Sequence, residues 1–441
     1  MRVLTFCHNH PALHPGGTEM LALELHREMR RRGIDSFFLA GVDKLHRGRS
    51  SGTCFQTVGS SESEMLMWTG EFDPVSLAQH DFYGVFPELT DFLLHYRPTV
   101  VHFHHTLLVG VETIALVRRI LPEAKIVLTL HDYYPLCPRD GILLNAAGER
   151  CQGPDIDSCR TCLPGLVPAA WRLRDLHIRN HLGLVHRFVC PSEFLRGRYL
   201  DWGLPAERMT VLRNGRPAAA PAPHRPLPAD GVRNRFAIFG NLSRPKGTLV
   251  ALRAAALLKE AGAEFSLTLH GAPKFQGEAF QAEFAKLLDQ AGSRVVHAGE
   301  YGPAEIAGRM AAADWVVAPS IWWENAPLVI EEAFQHRRPV LCSGIGGMAE
   351  RVSDGVDGLH FTAGDPAALA AAMRRGMDEP GLWERLAGGI RPAVTLTACA
   401  DAHLALYGDL SGPAPASKPA ARRPRATKGG RPARASMEVA S

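Results

Sequence analysis

Residues 315–336 read WVVAPSIWWENAPLVIEEAFQH, and this stretch predicts one β-strand followed by one α-helix. The apolar run at 315–318 is short enough for a buried strand, and the segment 327–336 reads as a helix. Pro327 suits the first turn of that helix, because its missing N–H would have no partner there. A strand that leads directly into a helix is the repeating unit of a parallel α/β sheet.

The same alternation extends outward from this unit in both directions. In this half of the chain we predict strands at 235–239, 264–270, 294–298 and 339–342 and helices at 247–261, 280–290 and 303–312. The first half repeats the pattern, with strands at 2–6, 36–40, 99–103, 125–130 and 187–189 and a helix at 18–32. Strands that alternate with helices give parallel sheets covered on both faces.

The chain is therefore expected to form two doubly wound, Rossmann-like α/β domains that face each other across a cleft. The Pro- and Ala-rich segment 214–230 predicts a linker between a first domain, 1–213, and a second domain, 231–410. Residues 411–441 are rich in Ala, Pro, Arg and Lys and lack core-forming residues, so we predict a disordered basic tail.

Composition excludes several classes of function. The chain is 46% hydrophobic and 21% charged, which is typical of globular proteins. Its formal net charge of +4 comes from the tail, so the folded body is close to neutral and predicts no nucleic-acid surface. No apolar run approaches the roughly 20 residues of a membrane span, and the N-terminus reads as a strand without a cleavage site. The nine cysteines, an odd number, indicate a reducing compartment, and we expect a cytoplasmic protein.

Two carboxylates of the opening stretch predict a site for a polyhydroxyl ligand. Parallel α/β sheets bind ligands at the carboxyl ends of their strands, and Glu324 lies in the loop after a strand. Pro327 places Glu332 on the second turn of the helix, so a loop carboxylate and a helix carboxylate reach one ligand at two points. Carboxylates suit the vicinal hydroxyls of a ribose or a hexose. The alternative is solvated surface glutamates, and we interpret Glu331 in that way.

A second loop predicts a site for a diphosphate. Residues 240–247, GNLSRPKG, follow a strand and open a helix, whose N-terminus is partly positive. The small residues allow the backbone to approach an anion, and Lys246 adds a full charge. The alternative is an ordinary turn with a surface lysine.

The first domain offers weaker signals of the same kind. Gly16 and Gly17 open its first helix, although many strand–helix turns need glycine. His131 ends a strand, where it is able to hydrogen-bond a sugar hydroxyl or simply to pack in the interior. His104 and His105 follow another strand and are less specific.

Four cysteines lie in a turn-rich insert at 137–165, namely Cys137, Cys151, Cys159 and Cys162. Four thiols are able to hold a structural Zn²⁺ tetrahedrally. Thirteen residues separate the first pair, which is a long spacing for a zinc ribbon. Free thiols and a disulfide are the alternatives.

Two further motifs suggest competing functions. Residues 344–349, GIGGMA, follow a strand and fit the fingerprint of dinucleotide enzymes, so an oxidoreductase is the first rival. The helix after them is short, however, and they lie late in the second domain. Residues 155–157, DID, fit the D-x-D pattern of metal-dependent sugar transferases but follow no strand, and we interpret them as surface.

Taken in order, these segments resemble glycosyltransferase family 4. The likeness covers residues 1–405 and rests on an ordered set: PGGTE at 15–19, VVHFH at 100–104, LHD at 130–132, PSEF at 191–194, NG at 214–215, the loop 240–247, the glutamate pair, GGMAE at 346–350 and DG at 357–358. The resemblance implies the GT-B fold and a retaining glycosyltransferase that uses a nucleoside-diphosphate sugar and requires no cofactor.

The resemblance also implies roles for individual residues. The donor-binding set comprises Gly16, Gly17, Asn241, Arg244, Lys246, Glu324, Asn325 and Glu332. Within it, Glu332 would bind the ribose hydroxyls, Glu324 the donor sugar and Lys246 the diphosphate. His131 would lie beside the donor sugar on the acceptor side, and the expected catalytic set is His131, Lys246 and Glu324.

One position departs from the family pattern. The family has an arginine after the glycine that opens the lysine loop, where this chain has Asn241. Losing one cation costs such a site roughly 2–4 kcal/mol of transition-state stabilisation. Arg244 is the nearest substitute, and a non-catalytic sugar-nucleotide or glycan-binding protein is the second rival.

The resemblance leaves the acceptor open within one class. It implies a glycan or lipid-linked acceptor, in the assembly of a cell-surface polysaccharide or glycolipid. The basic tail is able to add weak affinity for the anionic inner face of the cell membrane, at about 1 kcal/mol per well-placed Lys or Arg. A solvated tail is the alternative.

Overall fold

The structure is a computed structural model, and it describes residues 1–227, 231–274 and 276–411. Its strands are β1 (Arg2–His8), β2 (Asp35–Val42), β3 (Phe55–Thr57), β4 (Glu64–Trp68), β5 (Phe72–Asp73), β6 (Ala78–Gln79), β7 (Val100–Phe103), β8 (Lys125–Thr129), β9 (Arg187–Cys190), β10 (Met209–Val211), β11 (Arg235–Phe239), β12 (Ser266–His270), β13 (Val295–Gly299), β14 (Trp315–Ala318), β15 (Val340–Ser343) and β16 (Gly358–Phe361).

The α-helices alternate with these strands over most of the chain. They are α1 (Gly17–Arg31), α2 (Phe82–Tyr96), α3 (Glu112–Ile120), α4 (Ile156–Cys162), α5 (Pro168–Leu182), α6 (Glu193–Trp202), α7 (Thr248–Glu260), α8 (Glu278–Ala291), α9 (Ile306–Ala312), α10 (Leu328–Gln335), α11 (Gly346–Arg351), α12 (Pro366–Asp378), α13 (Leu382–Gly389) and α14 (Leu396–Ser411).

The first half of the chain folds around a sheet with the strand order β10-β9-β8-β7-β1-β2-β4-β3. Its neighbours pair in parallel except β3 and β4, which form an antiparallel edge. The central strands are continuous apolar runs because helices cover both faces, and every residue of β7 is buried. The sequence predicted the strands of this centre, but it assigned no element between residues 41 and 98, where β3 to β6 and α2 lie.

The second half folds around a fully parallel sheet with the strand order β13-β12-β11-β14-β15-β16. Its largest core cluster lies between the sheet and helices α7, α8, α12 and α13. The prediction of a doubly wound α/β fold with two parallel sheets is confirmed. Helix α10 begins at Leu328, one residue later than predicted, with Pro327 as the residue that caps it.

The last helix returns to the first sheet. Buried side chains of α14 form one apolar cluster with residues of α1 and of four strands of that sheet. Tyr407 anchors the contact, because its hydroxyl lies 2.6 Å from His102 Nδ1 on β7. The sequence had grouped this segment with the second domain, and the structure places it against the first sheet instead. The division 1–213 and 231–410 otherwise stays a prediction.

Parts of two predicted segments lie outside the described residues. These are positions 228–230 of the linker and the basic tail from 412 onward. Within the part of the chain that the structure describes, no helix is long and apolar enough to cross a bilayer.

Candidate active site between the two sheets

Residues that follow strands of both sheets line one cleft of about 620 Å³, a volume typical of small-ligand sites. The strand-end rule explains the location, since parallel strands present their carboxyl ends at one edge of each sheet. The predicted site residues that line this cleft are Gly16, Gly17, His131, Asn241, Lys246, Glu324, Asn325 and Glu332. Of the predicted donor and catalytic residues, Arg244 alone does not line it.

Glu324 is held in the loop between β14 and α10 by three hydrogen-bond donors. Lys246 Nζ lies 2.7 Å, Ser320 Oγ 2.7 Å and Trp322 Nε1 2.9 Å from its Oε1 atom. All three contacts fall on Oε1, and no described residue hydrogen-bonds Oε2. The carboxylate is only 5% exposed, yet it lines the cleft. Three donors therefore hold Oε1 in place, and Oε2 keeps no hydrogen-bond partner among the described residues.

Asn325 joins the two halves of the molecule across the cleft. Its Nδ2 donates to the carbonyl oxygen of His131 at 3.1 Å, and its Oδ1 accepts from Ser192 Oγ at 2.6 Å. A Cβ atom at Gly347 would lie 1.4 Å from the carbonyl oxygen of Asn325, so only glycine fits there. Gly347 is thus required for the packing of α11 against the loop of Asn325, which gives this part of the GIGGMA motif a structural role.

The loop 240–247 places its lysine inside the cleft and its arginine outside. Gly247 has φ +72°, and a Cβ atom there would lie 1.8 Å from Pro319 O, so the loop packs tightly against the end of β14. Lys246 consequently reaches Glu324. Arg244 is instead 56% exposed and pairs with Glu283 on α8 at 2.9 Å. Its predicted place beside the donor is not the one that the structure gives it.

Glu332 lies on α10 and also lines the cleft. Its Oε1 atom forms an ion pair with Arg216 Nη2 at 2.9 Å. Burial raises the pKa of Glu332, Arg216 lowers it, and Glu24 raises it again. Its sequence neighbour Glu331, predicted to be solvated, is buried and binds Arg351 Nε at 2.5 Å, so that interpretation was wrong.

His131 lines the first-sheet wall of the cleft, and the buried His104 and His105 lie behind this wall. Burial lowers the pKa of His131 to about 3, although Asp132 opposes the shift. His131 Nε2 lies 3.1 Å from His104 Nδ1, and Asp132 Oδ2 lies 2.7 Å from His105 Nε2. At neutral pH, His131 is an uncharged hydrogen-bonding group.

Gly16 and Gly17 form the N-terminal turn of α1 over a buried carboxylate. A Cβ atom at Gly16 would lie 2.3 Å from Glu19 Oε2, so the glycine makes room for this side chain. Glu19 Oε1 lies 3.2 Å from His8 Nε2. Burial raises the pKa of Glu19 to about 7.

The four cysteines of the insert line a separate cavity. Within residues 1–227, 231–274 and 276–411, no group of three or more His, Cys, Asp or Glu is arranged to hold a metal ion. The zinc interpretation of Cys137, Cys151, Cys159 and Cys162 is therefore not supported. Burial raises the pKa of Cys151 to about 11 and also raises that of Cys159. Asp155 accepts a hydrogen bond from Ser158 N as the cap of α4, which agrees with its interpretation as a surface residue.

Several residues that line the cleft were missed by sequence reasoning, among them Arg216, Tyr301 and Trp322. Arg216 lies within a segment that was classified as a linker by its composition, so its charge was given no role. Trp322 was visible only as half of a tryptophan pair. No signal in the sequence singled out Tyr301.

Comparison with known proteins identifies both halves of the chain. Residues 15–219 match the model of Glycosyltransferase Family 4, and residues 233–379 match the model of Glycosyl transferases group 1. The chain is 30% identical over 188 residues to lipopolysaccharide 1,2-N-acetylglucosaminetransferase of Salmonella typhimurium, an alignment covering 40% of this chain and 48% of the relative. It is 34% identical over 177 residues to D-inositol 3-phosphate glycosyltransferase of Thermomonospora curvata, covering 38% and 40%. These alignments thus span about half or less of each relative.

The fold also matches that of solved structures over nearly the whole chain. The protein HepE of Anabaena, solved in complex with UDP and glucose, superposes with a TM-score of 0.66 at 16% identity, covering 92% of this chain and 99% of HepE. Such structural neighbours are GT-B glycosyltransferases, which confirms the predicted fold class. Both matched segments are thus those of glycosyltransferase models, and the fold of this chain is that of the GT-B glycosyltransferases.

Proposed function

We propose that this protein transfers a sugar from a nucleoside-diphosphate sugar to an acceptor hydroxyl, with retention of anomeric configuration. The observation that carries the proposal is the pairing of Lys246 with Glu324, at 2.7 Å, in the cleft that also contains Glu332. In this arrangement Lys246 suits the diphosphate of the donor, and the two carboxylates suit the hydroxyls of its two sugars. The match of both halves to glycosyltransferase models supports the same conclusion.

The roles follow from the charges of the side chains. Lys246 neutralises the departing diphosphate, since electrostatic stabilisation of developing charge is the main contribution available without a metal. Glu324 accepts a hydrogen bond from a hydroxyl of the donor sugar through Oε2, and Glu332 accepts hydrogen bonds from the ribose hydroxyls. The backbone N–H groups at Gly16 and Gly17 lie at the N-terminus of α1, where an anion is favoured.

His131 is assigned to the donor sugar on the acceptor side of the cleft. Because its pKa is lowered to about 3, it acts as a neutral donor or acceptor of hydrogen bonds. Asn325 Nδ2 donates to the backbone carbonyl oxygen of His131, so the position of the histidine depends on this contact between the two halves. Closure of this contact would exclude water, which otherwise hydrolyses the donor.

The acceptor that we propose is a glycan or a lipid-linked sugar, as in cell-surface polysaccharide or glycolipid assembly. Relatives of this chain include a lipopolysaccharide N-acetylglucosaminetransferase and inositol phosphate glycosyltransferases. We place the protein in the cytoplasm, where nucleotide sugars are available, and assign weak membrane contact to the basic tail.

A non-catalytic donor-binding protein is the second proposal, and a specific observation favours it. Asn241 lines the cleft in place of the expected arginine, while Arg244 pairs with Glu283 outside. A protein with this arrangement would bind the donor, but it would stabilise the charge on a departing diphosphate too weakly to transfer the sugar.

The decisive experiment combines donor binding with product stereochemistry. Thermal unfolding is first measured with UDP-, GDP-, ADP- and dTDP-glucose and with NAD(P), and the stabilising donor is taken forward. It is then incubated with glycan and lipid-linked acceptors, and ¹H NMR of the product gives the anomeric configuration. Transfer with retention supports the enzyme, and an inverted product contradicts it. Binding without transfer to any acceptor supports the second proposal, and stabilisation by NAD(P) alone contradicts both.

A further inference from the structure

Arg216 occupies the point where the chain passes between its two halves. Its backbone N–H donates to Val394 O at 2.9 Å, and its carbonyl oxygen accepts from Leu396 N at 2.7 Å. The preceding Gly215 is packed so closely that a Cβ atom would lie 2.5 Å from that of Cys399. The segment around Arg216 is therefore fixed against the segment 394–396, and this backbone pairing defines where the Arg216 side chain begins.

The side chain of Arg216 links a carboxylate of each half. Its Nη2 atom lies 2.9 Å from Glu332 Oε1 on α10, and its Nη1 atom lies 3.5 Å from Glu24 Oε2 on α1. The guanidinium is 11% exposed, and the two carboxylates are nearly as buried. Arg216 Nε is buried and has no hydrogen-bond partner among the described residues. Two ion pairs, rather than a closed hydrogen-bond network, hold the side chain.

One guanidinium thus serves two buried carboxylates. Burial raises the pKa of both Glu24 and Glu332, and Arg216 is the first cation that opposes the rise in each. Tyr301, whose hydroxyl has its pKa raised by burial and by Glu332, is the other titratable group that faces Glu332. An unpaired buried carboxylate would take up a proton, since a lone charge in such a site is unstable.

We propose that Arg216 is a positioning residue for the donor, which keeps Glu332 ionised and turned into the cleft from a fixed point between the two halves. This inference rests on the proposed role of Glu332 as the acceptor of the ribose hydroxyls. Arg216 engages Oε1 and leaves Oε2 for the diol, in the same manner as Lys246 engages Oε1 of Glu324. A protonated Glu332 would offer a weaker acceptor, so donor affinity is lost as pH falls through the pKa of this carboxyl.

The test uses pairs of substitutions with opposite expected signs. Arg216→Met removes the cation, so the pKa of Glu332 rises and the acidic limb of the kcat/KM profile moves to higher pH. Glu24→Gln removes a like charge, so the same limb moves to lower pH. Arg216→Lys restores a cation and returns the limb toward that of the wild type. If Arg216 had only a structural role, Arg216→Met and Glu24→Gln would not shift the acidic limb in opposite directions.

The magnitudes separate binding from chemistry. For Arg216→Met we expect the donor KM at pH 6 to rise at least tenfold, with a fall in kcat of less than threefold. The control is Arg32→Met, which breaks the contacts of α1 with Asp401 and Thr397 O on α14 but lies outside the cleft. It should leave both constants and the profile unchanged.

Direct titration distinguishes a failed inference from a failed function. UDP, GDP, ADP and dTDP are each titrated into the wild type by calorimetry from pH 5 to 8. If none binds, the proposed function fails. If one binds and the Arg216→Met and Glu24→Gln profiles coincide with that of the wild type, only the inference is overturned. If Arg216→Met does not fold, the opposite shift of Glu24→Gln and the wild-type-like profile of Arg216→Lys decide the question.

Discussion

The two walls of the cleft carry their ionisable groups in opposite ways. On the first-sheet side, burial lowers the pKa of His131, which lines the cleft, to about 3, and raises the pKa of Glu19, which is buried beneath Gly16, to about 7. On the second-sheet wall, Glu324 pairs with Lys246 at 2.7 Å, and Glu332 pairs with Arg216 at 2.9 Å. Among the described residues no lysine or arginine pairs with His131 or Glu19, whereas each of these two carboxylates on the second wall has one.

This difference separates two tasks within one site. A diphosphate needs fixed positive charge where negative charge develops, and the second wall supplies it. We propose that the acceptor hydroxyl lies against the first wall, which offers the neutral imidazole of His131 and, beside it, the Asp132 carboxylate, whose pKa is lowered by His105. The predictions below test two expectations. Activity should depend on charge at the ion-paired groups of the second wall, and it should not depend on charge at the groups that burial keeps neutral on the first side.

The largest effect is expected from Lys246→Ala on the second wall. The substitution removes the cation from the proposed diphosphate site and leaves Glu324 with two neutral donors. Removing one such stabilising group lowers kcat about 10²–10³-fold, and we expect a loss of about 100-fold in kcat/KM, measured with saturating acceptor. The control is Lys274→Ala, a lysine that lines the same cleft but is half-exposed and paired with Glu300. Equal losses in both variants would mean that net charge alone matters.

Glu19 is buried behind the first wall, so Glu19→Gln should change stability rather than turnover. The folded-state pKa of Glu19, about 7, lies above its unfolded value, so the neutral carboxyl stabilises the fold at low pH. This contribution is lost as pH rises toward and through 7. A glutamine does not ionise, so the variant should gain about 2–3 kcal/mol over the wild type between pH 5 and 8. Urea unfolding at the two pH values measures it, and parallel changes in both proteins would contradict the assignment.

The fold could be predicted where the chain is fully buried. Strands such as β7 and β14 are short apolar runs because both faces of the sheet are covered, and the sequence alone identified them. The edge strand β3 and the short hairpin β5–β6 were missed, since two- and three-residue strands leave no periodic pattern. The five-residue strand β4 was missed as well. The return of α14 to the first sheet depends on contacts more than 300 positions apart, such as that between His102 and Tyr407.

The candidate site could be predicted as far as strand ends reach. Glu324, Asn325 and Lys246 follow strands and do line the cleft. Spacing along a loop does not tell which side of it a residue occupies, and Arg244, two positions before Lys246, lies outside. Neither does spacing reveal a distant partner, and Glu331 is buried only because Arg351 neutralises it. Arg216 was missed because its importance lies in two carboxylates far along the chain.

A smaller effect is expected from His131→Gln. Glutamine retains a hydrogen-bonding end, so we expect a fall in kcat of about tenfold from altered geometry, which corresponds to about 1.4 kcal/mol, or one neutral hydrogen bond. Because the pKa of His131 is about 3, the kcat profiles of wild type and variant should be parallel from pH 5 to 8. A limb near pH 6 that disappears in the variant would show that His131 is charged during turnover.

The smallest effect is expected from Arg244→Ala, and it bears directly on the second wall. The resemblance assigns this arginine to the donor, whereas the structure pairs it with Glu283 at 2.9 Å, away from the cleft. An exposed substitution of this kind changes free energies by about 0.5 kcal/mol or less, so kcat/KM should change by less than about threefold. A tenfold loss, measured beside Lys246→Ala, would mean that Arg244 leaves Glu283 when the donor binds. The second wall would then contain the cation that Asn241 does not provide, and Lys246 would share the diphosphate with it.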